Sequence, residues 1–477
     1  MLSEDVSIYG LLILGIHGLG IITALHAVMN VRTSQGSVAW AISLLTFPYL
    51  GLPLYWVFGR NKFVGYVNSR RADEAELNEV VEEAGRRARE AGLVVPDPHE
   101  THSALERLCE LPFLPSNHVQ LLIDGQETFD AIFAAIDRAK DYVLVQFFIV
   151  KDDQLGQALK DRLIAKANEG VRIYFLYDEI GSHKLPRRYL DELRQAGADV
   201  RAFHTTKGHR NRFQLNFRNH RKIVLVDGLE AYVGGHNVGD EYMGRDPKIG
   251  AWRDTHVSLR GPAVHVVQLS FLEDWYWATQ EIPAWDWELR KSGTGEQDVL
   301  VLPTGPADEL ESCSLMFVHL INTAHQRVWI ASPYFVPDRK VIAALQLASL
   351  RGVDVRIVLP DNPDHLLVYM SAFSFLEETE AAGVKVYRYE DGFMHHKVIL
   401  VDDQLAAVST ANLDNRSFRL NFEITVLVDN RQFNQQTADM FYRDFKRCHL
   451  AKAVDLEGRG FWFRLAVKLS RLLAPIQ

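Results

Sequence analysis

The sequence predicts a mixed α/β protein made of two similar α/β/α sandwich halves related by a pseudo-twofold repeat. A hairpin of two membrane-spanning helices is expected to precede them. One short motif occurs twice with identical internal spacing, and strand-like apolar runs alternate with helical patterns around each copy, which predicts the halves. Two long apolar stretches near the amino terminus predict the hairpin.

The apolar stretches cover residues 6–31 and 38–58, neither of which contains Asp, Glu, Lys or Arg. About 20 apolar residues suffice to cross a hydrocarbon core of about 30 Å. For the first stretch the alternatives are a buried core helix and a cleaved signal peptide, but acidic rather than basic residues precede it. Pro48 and Pro53 indicate that the second stretch is kinked or re-entrant. We expect two spans within residues 1–60.

Basic residues after the second stretch predict the orientation. Arg32 is the basic residue of the connecting loop, whereas four follow the second stretch: Arg60, Lys62, Arg70 and Arg71. The positive-inside rule then places the large carboxyl-terminal body in the cytoplasm. Residues 61–117 are expected to form a connector, with a helix over 73–92 rich in Glu, Ala and Arg and then a proline-containing linker.

Composition narrows the function classes. The chain has 477 residues, 47% of them hydrophobic, which is enough for more than one domain. A net charge of −9 argues against a dedicated nucleic-acid binder, because such proteins usually carry a basic excess. The three cysteines, Cys109, Cys313 and Cys448, are far apart and predict neither a disulfide framework nor a metal cluster.

The repeated motif has the sequence Asn-His-Arg-Lys-Ile-Val-Leu-Val-Asp at 219–227 and His-His-Lys-Val-Ile-Leu-Val-Asp at 395–402. Gly-Gly-His-Asn follows at 234–237, and Ser-Thr-Ala-Asn at 409–412. In both copies Lys lies two residues, Asp seven and Asn seventeen residues after the His. Two matches with the same four-point spacing on apolar runs are a strong signal.

Strand geometry assigns roles within each copy. Successive side chains of a strand face opposite sides, so His220 shares a face with Lys222, and the second copy repeats this with His395 and Lys397. Each Asp lies at an odd offset and should face away from that site. Asp227 and Asp402, the last members of the motif, are therefore given a structural part. Asp227 and Gly228 predict a hairpin turn, after which a strand over 231–234 returns Asn237 towards His220.

Two His, two Lys and two Asn indicate phosphodiester chemistry. Lys ammonium and Asn amide groups donate hydrogen bonds to phosphate oxygens, so Asn237 and Asn412 are candidate phosphate-binding residues. One imidazole can attack phosphorus while the other protonates the leaving oxygen, which describes transfer through a phosphohistidine. A metal centre is the rival interpretation, but Lys is a poor ligand and few carboxylates have ligand spacing. No cofactor is expected.

Two carboxylates are candidates for orienting the imidazoles. Glu423 begins an apolar strand eleven residues after Asn412, and Asp254 occupies a similar place in the first half. A carboxylate that accepts the Nδ1 proton fixes the tautomer and leaves Nε2 free to react. An ordinary surface carboxylate is the alternative for each.

The halves repeat each other beyond the motif. Gly-Val-Arg-Ile at 170–173 corresponds to Gly-Val-Asp-Val at 352–355, and Gly-Ala-Asp-Val at 197–200 corresponds to Gly-Val-Lys-Val at 383–386. Residues 118–292 and 293–455 are expected to form the two halves, whose His-Lys-Asn sets meet in one active site. Residues 456–477 mix Phe, Trp and Leu with basic residues at helical spacing, which favours an interfacial amphipathic helix over a docked terminal helix.

Two further stretches have two interpretations each. The basic residues within 204–222 predict either a site for anionic lipid headgroups or a solvated loop. They are Lys207, Arg210, Arg212, Arg218 and Arg221. Aromatic residues within 271–287 suit a membrane interface or packing between the halves, and comprise Trp275, Tyr276, Trp277, Trp285 and Trp287.

The paired His-x-Lys-x4-Asp motifs resemble the signature of the phospholipase D superfamily. The sequence around them resembles the bacterial cardiolipin synthases within that superfamily, with Phe-Arg-Asn-His-Arg-Lys at 217–222 and Gly-Gly-His-Asn-Val-Gly-Asp-Glu-Tyr at 234–242. The similarity extends over nearly the whole chain. One departure is that the first copy has Gly-Gly-His-Asn where the superfamily often has Gly-Ser-x-Asn, which removes a hydroxyl donor from that half.

The resemblance implies an enzyme of the bacterial inner membrane that converts two phosphatidylglycerol molecules to cardiolipin and glycerol. Its expected partners are phosphatidylglycerol, other anionic phospholipids and the membrane, without nucleic acid. Family habit favours His220 as the nucleophile and supports Glu423 as an orienting residue. Hydrolysis of phospholipids with water as acceptor uses the same residues and stays open, as does a less favoured nucleic-acid phosphodiesterase. A non-enzymatic lipid-binding scaffold is disfavoured by the intact His and Lys pairs.

Overall fold

The computed structural model describes residues 2–31, 33–59, 100–203, 216–288 and 295–477, together with residues 86, 92 and 95. The chain divides into a smaller unit, Met1–Arg71 with Thr205–Phe217, and a larger unit, Ala72–His204 with Arg218–Gln477. The basic residues that predict orientation, the connector helix over 73–92 except for residues 86 and 92, and the basic residues 207–212 lie outside the described residues.

The helices and strands have the following bounds. The α-helices are α1 Leu2–Asn30, α2 Ser34–Thr46, α3 Pro48–Phe58, α4 Glu100–Cys109, α5 Asp124–Arg138, α6 Gln154–Asn168, α7 Arg187–Gln195, α8 Val264–Thr279, α9 Ser312–Thr323, α10 Arg339–Leu350, α11 Leu366–Phe373, α12 Leu376–Glu380, α13 Asn415–Arg419, α14 Arg431–Phe445, α15 Val454–Glu457 and α16 Phe461–Leu472. The strands are β1 Leu114–Ile123, β2 Tyr142–Phe147, β3 Arg172–Asp178, β4 Asp199–Phe203, β5 Arg218–Asn219, β6 Ile223–Val226, β7 Glu230–Gly234, β8 Trp252–Arg253, β9 Thr255–Arg260, β10 Gln297–Thr304, β11 Arg327–Ala331, β12 Phe335–Val336, β13 Asp354–Pro360, β14 Lys385–Tyr389, β15 Phe393–Met394, β16 Val398–Val401, β17 Leu405–Ser409, β18 Leu413–Asp414, β19 Asn421–Asp429 and β20 Cys448–Ala451.

In the smaller unit, one described helix is long and apolar enough to cross a membrane, over Ile8–Asn30. The second apolar stretch forms two shorter helices, α2 and α3, which are interrupted at Phe47. Phe47 leaves the helical conformation because it precedes Pro48, whose ring disfavours that conformation in the residue before it. The kink predicted from the prolines is present, and the hairpin of two full spans stays a prediction.

The larger unit has one continuous sheet with an approximate twofold symmetry. The first half has the strand order β4-β3-β2-β6-β7-β9-β1, and the second has β14-β13-β11-β16-β17-β19-β10 with β20 added beside β14. The antiparallel pair β1 and β10 joins the two runs at the centre. Each half has its own core, with Phe129 and Ile173 fully or almost fully buried in the first and Leu345 and Ile357 in the second. The predicted pair of α/β sandwiches is confirmed.

The repeat extends to individual backbone angles. Gly170 and Gly352 have φ values of 92° and 90°, and Gly197 and Gly383 have 95° and 89°. Each glycine lies between a helix and the strand that follows it, where a left-handed residue ends the helix at little cost only if it lacks a Cβ atom. The glycine correspondences in the sequence therefore mark equivalent helix ends.

The aromatic stretch at 271–287 packs inside the first half. Trp275 is fully buried, and its ring lies 5.2 Å from that of Tyr174 on β3. Trp285 contacts the same tyrosine at 5.3 Å. Of the two interpretations, packing is therefore the one that the structure shows, and it occurs within one half rather than between the halves.

Two buried arginines join the halves to each other. Arg253 of the first half donates to Asp444 of α14 in the second, with Nε 2.9 Å from Oδ1 and Nη2 3.2 Å from Oδ2. Arg221 of the first half donates to the Glu423 carbonyl at 3.1 Å and to Asp274 at 2.9 Å. These contacts lie directly beside the motif histidines, so the inter-half geometry of the site is fixed by charge-assisted hydrogen bonds.

Replacing Arg253 by Met should lower the free energy of unfolding by about 3–5 kcal/mol, because it leaves Asp444 buried without its partner charge. Urea and thermal unfolding of the purified protein measure the change. The control is Arg260→Met, which removes a 2.9 Å pair with Glu230 from a side chain that is 54% exposed and should cost less than about 1 kcal/mol. Equal losses in both variants would contradict the assigned role of Arg253.

Candidate active site

Short strands that pair across the halves position both motif histidines. Strand β5 of the first half runs parallel to β19 of the second, and the His220 amide donates to the Phe422 carbonyl at 2.9 Å. In the equivalent place β15 of the second half runs parallel to β8 of the first, and the His395 amide donates to the Arg253 carbonyl at 2.7 Å. Each histidine is thus held by backbone bonds to the opposite half.

The two orienting carboxylates pair crosswise with the histidines. His220 Nδ1 lies 2.9 Å from Glu423 Oε2, and His395 Nδ1 lies 2.7 Å from Asp254 Oδ2. Both carboxylates are fully buried, whereas the imidazoles retain 8% and 7% exposure. A carboxylate accepts the Nδ1 proton, so Nε2 of each ring is the atom left for reaction. Sequence reasoning identified all four residues but did not predict that each pair spans the two halves.

Glu423 is held by three further donors from its own half. Thr410 Oγ1 donates at 2.6 Å, Ser417 Oγ at 2.8 Å and Asn421 Nδ2 at 3.1 Å. Burial alone would raise the pKa of Glu423, but the interaction with His220, the nearby Lys222 and the hydrogen bond from Thr410 lower it overall. The carboxylate is therefore ionised and fixed in position beneath His220.

Asp254 is held differently. Its described donors besides His395 are the Thr255 amide at 2.8 Å and Trp252 Nε1 at 3.4 Å. Gly235 stands where the second half has Thr410, and a Cβ atom added there would lie 2.0 Å from Asp254 Oδ1. The missing hydroxyl noted in the sequence thus accompanies a close approach of the Asp254 carboxylate to the backbone, which a side chain at 235 would block.

The motif lysines are buried beside the imidazoles. Lys222 Nζ donates to the His220 carbonyl at 2.6 Å, and Lys397 Nζ donates to the His395 carbonyl at 2.7 Å while lying 3.1 Å from His395 Nε2. Burial lowers the pKa of Lys397 to about 8 and lowers that of Lys222 well below its usual value. A bound anion would favour the charged form of both lysines, so this arrangement suits a phosphodiester.

Both imidazoles are neutral in the free site. Burial lowers the pKa of His220 to about 4, which Glu423 offsets only in part. Burial and the neighbouring Lys397 lower the pKa of His395 to about 3. Lys397 also lowers the pKa of His220, and Lys222 lowers the pKa of His395, so charged groups of each half affect the histidine of the other.

The two motif asparagines have different surroundings. Asn237 donates to Tyr242 Oη at 2.9 Å and accepts from the Ile149 amide at 3.1 Å. Asn412 is 5% exposed, and its Oδ1 has no hydrogen-bond partner among the described residues. The Asn237 amide is therefore hydrogen-bonded within the first half, whereas the Asn412 amide oxygen has no hydrogen bond to the described residues.

The motif aspartates are placed away from the reacting groups. Asp227 accepts from the amides of residues 140–142 at 2.8–2.9 Å, and Asp402 accepts from those of residues 325–327 at 2.8–3.2 Å. Each has a positive φ, 53° and 49°, and Gly228 continues the predicted turn with 66°. They tie the hairpin turn to the start of the neighbouring strand, which agrees with a structural part.

Aromatic walls around the imidazoles were not predicted from the sequence. The Phe148 ring lies 5.1 Å from His220, whereas His395 has Trp252 at 5.0 Å, Phe393 at 6.0 Å and Tyr242 at 6.2 Å. Except for Phe393, which lies two residues before His395, these aromatic residues are distant in sequence from the histidine that they contact, so the sequence pattern did not reveal them.

The two sides of the site differ at equivalent positions. Two residues before the histidine, the first half has Arg218 and the second has Phe393; their cross-strand partners are Asn421 and Trp252, respectively. At these two positions the residues beside His220 are therefore polar or basic, whereas those beside His395 are aromatic. Among the described residues no group of three or more His, Cys, Asp or Glu side chains is arranged to hold a metal ion.

Replacing Gly235 by Ala should displace Asp254, release the His395 ring and lower kcat by about a hundredfold. Initial rates on phospholipid vesicles measure the change, and thermal unfolding reports any accompanying loss of stability. Gly458→Ala is the control, because its added Cβ atom would meet its nearest neighbour at 3.5 Å and its φ is −68°. Unchanged turnover in Gly235→Ala would show that Asp254 does not need this close approach.

Comparisons with known proteins identify a family for both halves. The family model described as "Cardiolipin synthase, PLD-like domain" matches residues 132–255 and 317–445, one match for each half. The model described as "Phospholipase D-nuclease N-terminal" matches residues 18–60.

Similar proteins extend over nearly the whole chain. "Cardiolipin synthase A" of Pseudomonas putida (strain GB-1) is 49% identical and that of Pseudomonas aeruginosa (strain LESB58) is 48% identical. The alignments cover 98% of this chain in both cases, and 98% and 96% of those proteins. The crystal structure of phosphatidylserine synthase from Haemophilus influenzae Rd KW20 has the same fold, with a TM-score of 0.62 at 15% identity over 80% of this chain and 100% of that chain. The chain belongs to the cardiolipin synthase family of the phospholipase D superfamily and is a phosphatidyltransferase of that superfamily.

Proposed function

We propose that the chain transfers the phosphatidyl group of one phosphatidylglycerol to a second phosphatidylglycerol, making cardiolipin and glycerol through a phosphatidyl-histidine. The observation that carries the proposal is the crosswise pairing of His220 with Glu423 and His395 with Asp254, which leaves two Nε2 atoms in one site. The relatives named cardiolipin synthase support the choice of lipid.

The first step uses His220 as the nucleophile. Its Nε2 attacks phosphorus, the bond from phosphorus to the glycerol oxygen breaks, and His395 Nε2–H protonates the departing glycerol. Glu423 holds the Nδ1 proton and stabilises the positive charge that develops on His220. Lys222, Lys397, Asn237 and Asn412 stabilise the charge on the phosphoryl oxygens.

The second step reverses these roles with a new alcohol. His395 Nε2, now neutral, removes the proton from a glycerol hydroxyl of the second lipid, whose oxygen attacks phosphorus. The bond from phosphorus to His220 breaks, which releases cardiolipin and returns the free imidazole. Asp254 keeps the His395 ring oriented in both steps.

Protonation of His395 has to accompany substrate binding. The pKa of His395 in the free site is about 3, so the ring carries no proton on Nε2 near neutral pH. A bound phosphodiester brings one negative charge next to this ring and to Lys397, which raises the pKa of both groups. Binding of the anionic lipid therefore supplies the condition under which His395 acts as an acid.

The test of the overall reaction is incubation of the purified protein with phosphatidylglycerol vesicles, followed by mass spectrometry of lipids and glycerol. Cardiolipin with glycerol is the expected result, and His220→Ala and His395→Ala should each lose at least about a thousandfold in rate. His325→Gln, an exposed histidine, is the control and should keep full activity. Phosphatidic acid as the main product would mean that water is the acceptor and that the proposed transferase is wrong.

A substrate with a phenolate leaving group separates the two histidines in the same assay. Phosphatidyl-nitrophenol needs no proton on departure, so His395→Gln should still release nitrophenol once and retain a phosphatidyl group on His220. His220→Gln should form no adduct. An adduct on His395 in the latter variant would reverse the assignment of nucleophile.

We propose in addition that the protein is a multi-pass protein of the bacterial cytoplasmic membrane whose body faces the cytoplasm. The apolar helix over Ile8–Asn30, the match at residues 18–60 and the basic residues after the second apolar stretch support this arrangement. In bacterial cells, a green fluorescent protein fused after Gln477 should fluoresce and an alkaline phosphatase fused there should be inactive. The opposite pattern would place the body outside.

A further inference from the structure

Helix α16 is fixed to the second half along one side. Val467 is fully buried and Ser470 is 2% exposed on that side. The Phe463 ring lies 5.7 Å from Phe373 of α11, and Arg471 donates to the Ser374 carbonyl at 2.9 Å and to Glu378 at 2.7 Å. The helix is therefore part of the folded body, and its orientation on that body is determined.

The opposite side of α16 presents large apolar groups to the outside. The exposed fractions are 63% for Phe461, 78% for Trp462, 37% for Leu465, 54% for Leu469 and 74% for Leu472. Single exposed apolar residues are ordinary, but a contiguous row of five on one helix marks a surface that contacts another apolar phase. We name these five residues the apolar row.

The charges beside the apolar row favour a bilayer over a second copy of the chain. Arg464 and Lys468 are exposed on the same helix, and the sequence of α16 contains no Asp or Glu. Two copies meeting through this side would bring like charges together. An anionic bilayer surface instead accepts apolar groups at its interface while attracting the basic ones.

Further exposed apolar residues lie on the helix that packs against α16. Helix α11, which packs against α16, begins with Leu366 and Leu367 at 63% and 40% exposure. Immediately before it, Asp364 accepts a 2.5 Å hydrogen bond from Tyr334 Oη and raises the pKa of the catalytic-site Lys397. Leu366 and Leu367 therefore come directly after the segment whose Asp364 lies close enough to Lys397 to affect its pKa.

We propose that the apolar row, with Leu366 and Leu367, is a membrane-docking face of the catalytic body that inserts into the interface of a bilayer rich in anionic phospholipid. This contact is separate from the amino-terminal helix and positions the active site at the lipid surface from which its substrates come. The inference deepens the proposed function by naming the surface through which lipid reaches the site.

The depth test uses the full chain reconstituted in vesicles of phosphatidylglycerol or of phosphatidylcholine. An environment-sensitive fluorophore is attached at Leu465→Cys, with the native cysteines replaced, or at Leu347→Cys on α10, where the native leucine is 51% exposed. Spin-labelled lipids should quench the probe at 465 strongly and the probe at 347 weakly, and Arg464→Glu with Lys468→Glu should reduce the quenching in the anionic vesicles. Equal, weak quenching at both positions would overturn the proposal. Spin labels at 465 that couple to one another without lipid quenching would overturn it in favour of self-association.

Turnover distinguishes this proposal from the proposed function. Trp462→Ser with Leu469→Ser should lower the rate on phosphatidylglycerol vesicles about tenfold while leaving the rate on dispersed short-chain phosphatidylglycerol unchanged. Leu347→Ser with Leu350→Ser, two exposed leucines of α10, is the control and should change neither rate. Equal rates of the first variant and the unmodified protein on vesicles would refute docking. An unmodified protein that is inactive on both substrates would instead refute the proposed reaction.

Discussion

The structure depends on two buried hydrogen bonds that cross from one half of the body to the other. Glu423 and Asp254 have no exposure to water, and burying a carboxylate is costly unless hydrogen bonds and a partner charge compensate. His220 and His395 from the opposite halves each donate a hydrogen bond that supplies part of that compensation. The site therefore forms only when the halves are joined correctly, and the pair β1 and β10 together with the Arg253 ion pair holds them in that register.

The halves share one plan and differ in detail. Arg221 with Asp274 in the first half corresponds to His396 beside Asp444 in the second, where the two side chains lie 3.5 Å apart. Glu423 is held by hydroxyl and amide side chains, whereas Asp254 is held by a backbone amide, an indole and a glycine that lets it come close. Equivalent positions thus provide two imidazoles with unlike surroundings, which suits the different roles proposed for them.

Much of the fold and the site followed from the sequence because short-range periodicity carries that information. The spacing of His220 and Lys222 predicted that they lie together, and the odd offset of Asp227 predicted that it turns away. The crosswise pairing could not be predicted, since it depends on contacts between residues about 140 and 200 positions apart. Aromatic richness at 271–287 did not distinguish a membrane surface from a core. The break at Phe47 lay within the predicted kink, but its position required the backbone geometry.

The covalent link between the halves has a consequence for how the site can change. Two identical subunits meeting about a true twofold axis would present every substitution twice, so a residue suited to one imidazole would be imposed on the other. On a single chain Arg218 and Phe393 occupy equivalent places yet vary independently. On one chain each side of the site can therefore be specialised separately, which under the proposed transfer would suit one side to the lipid that donates the phosphatidyl group and the other to the lipid that accepts it.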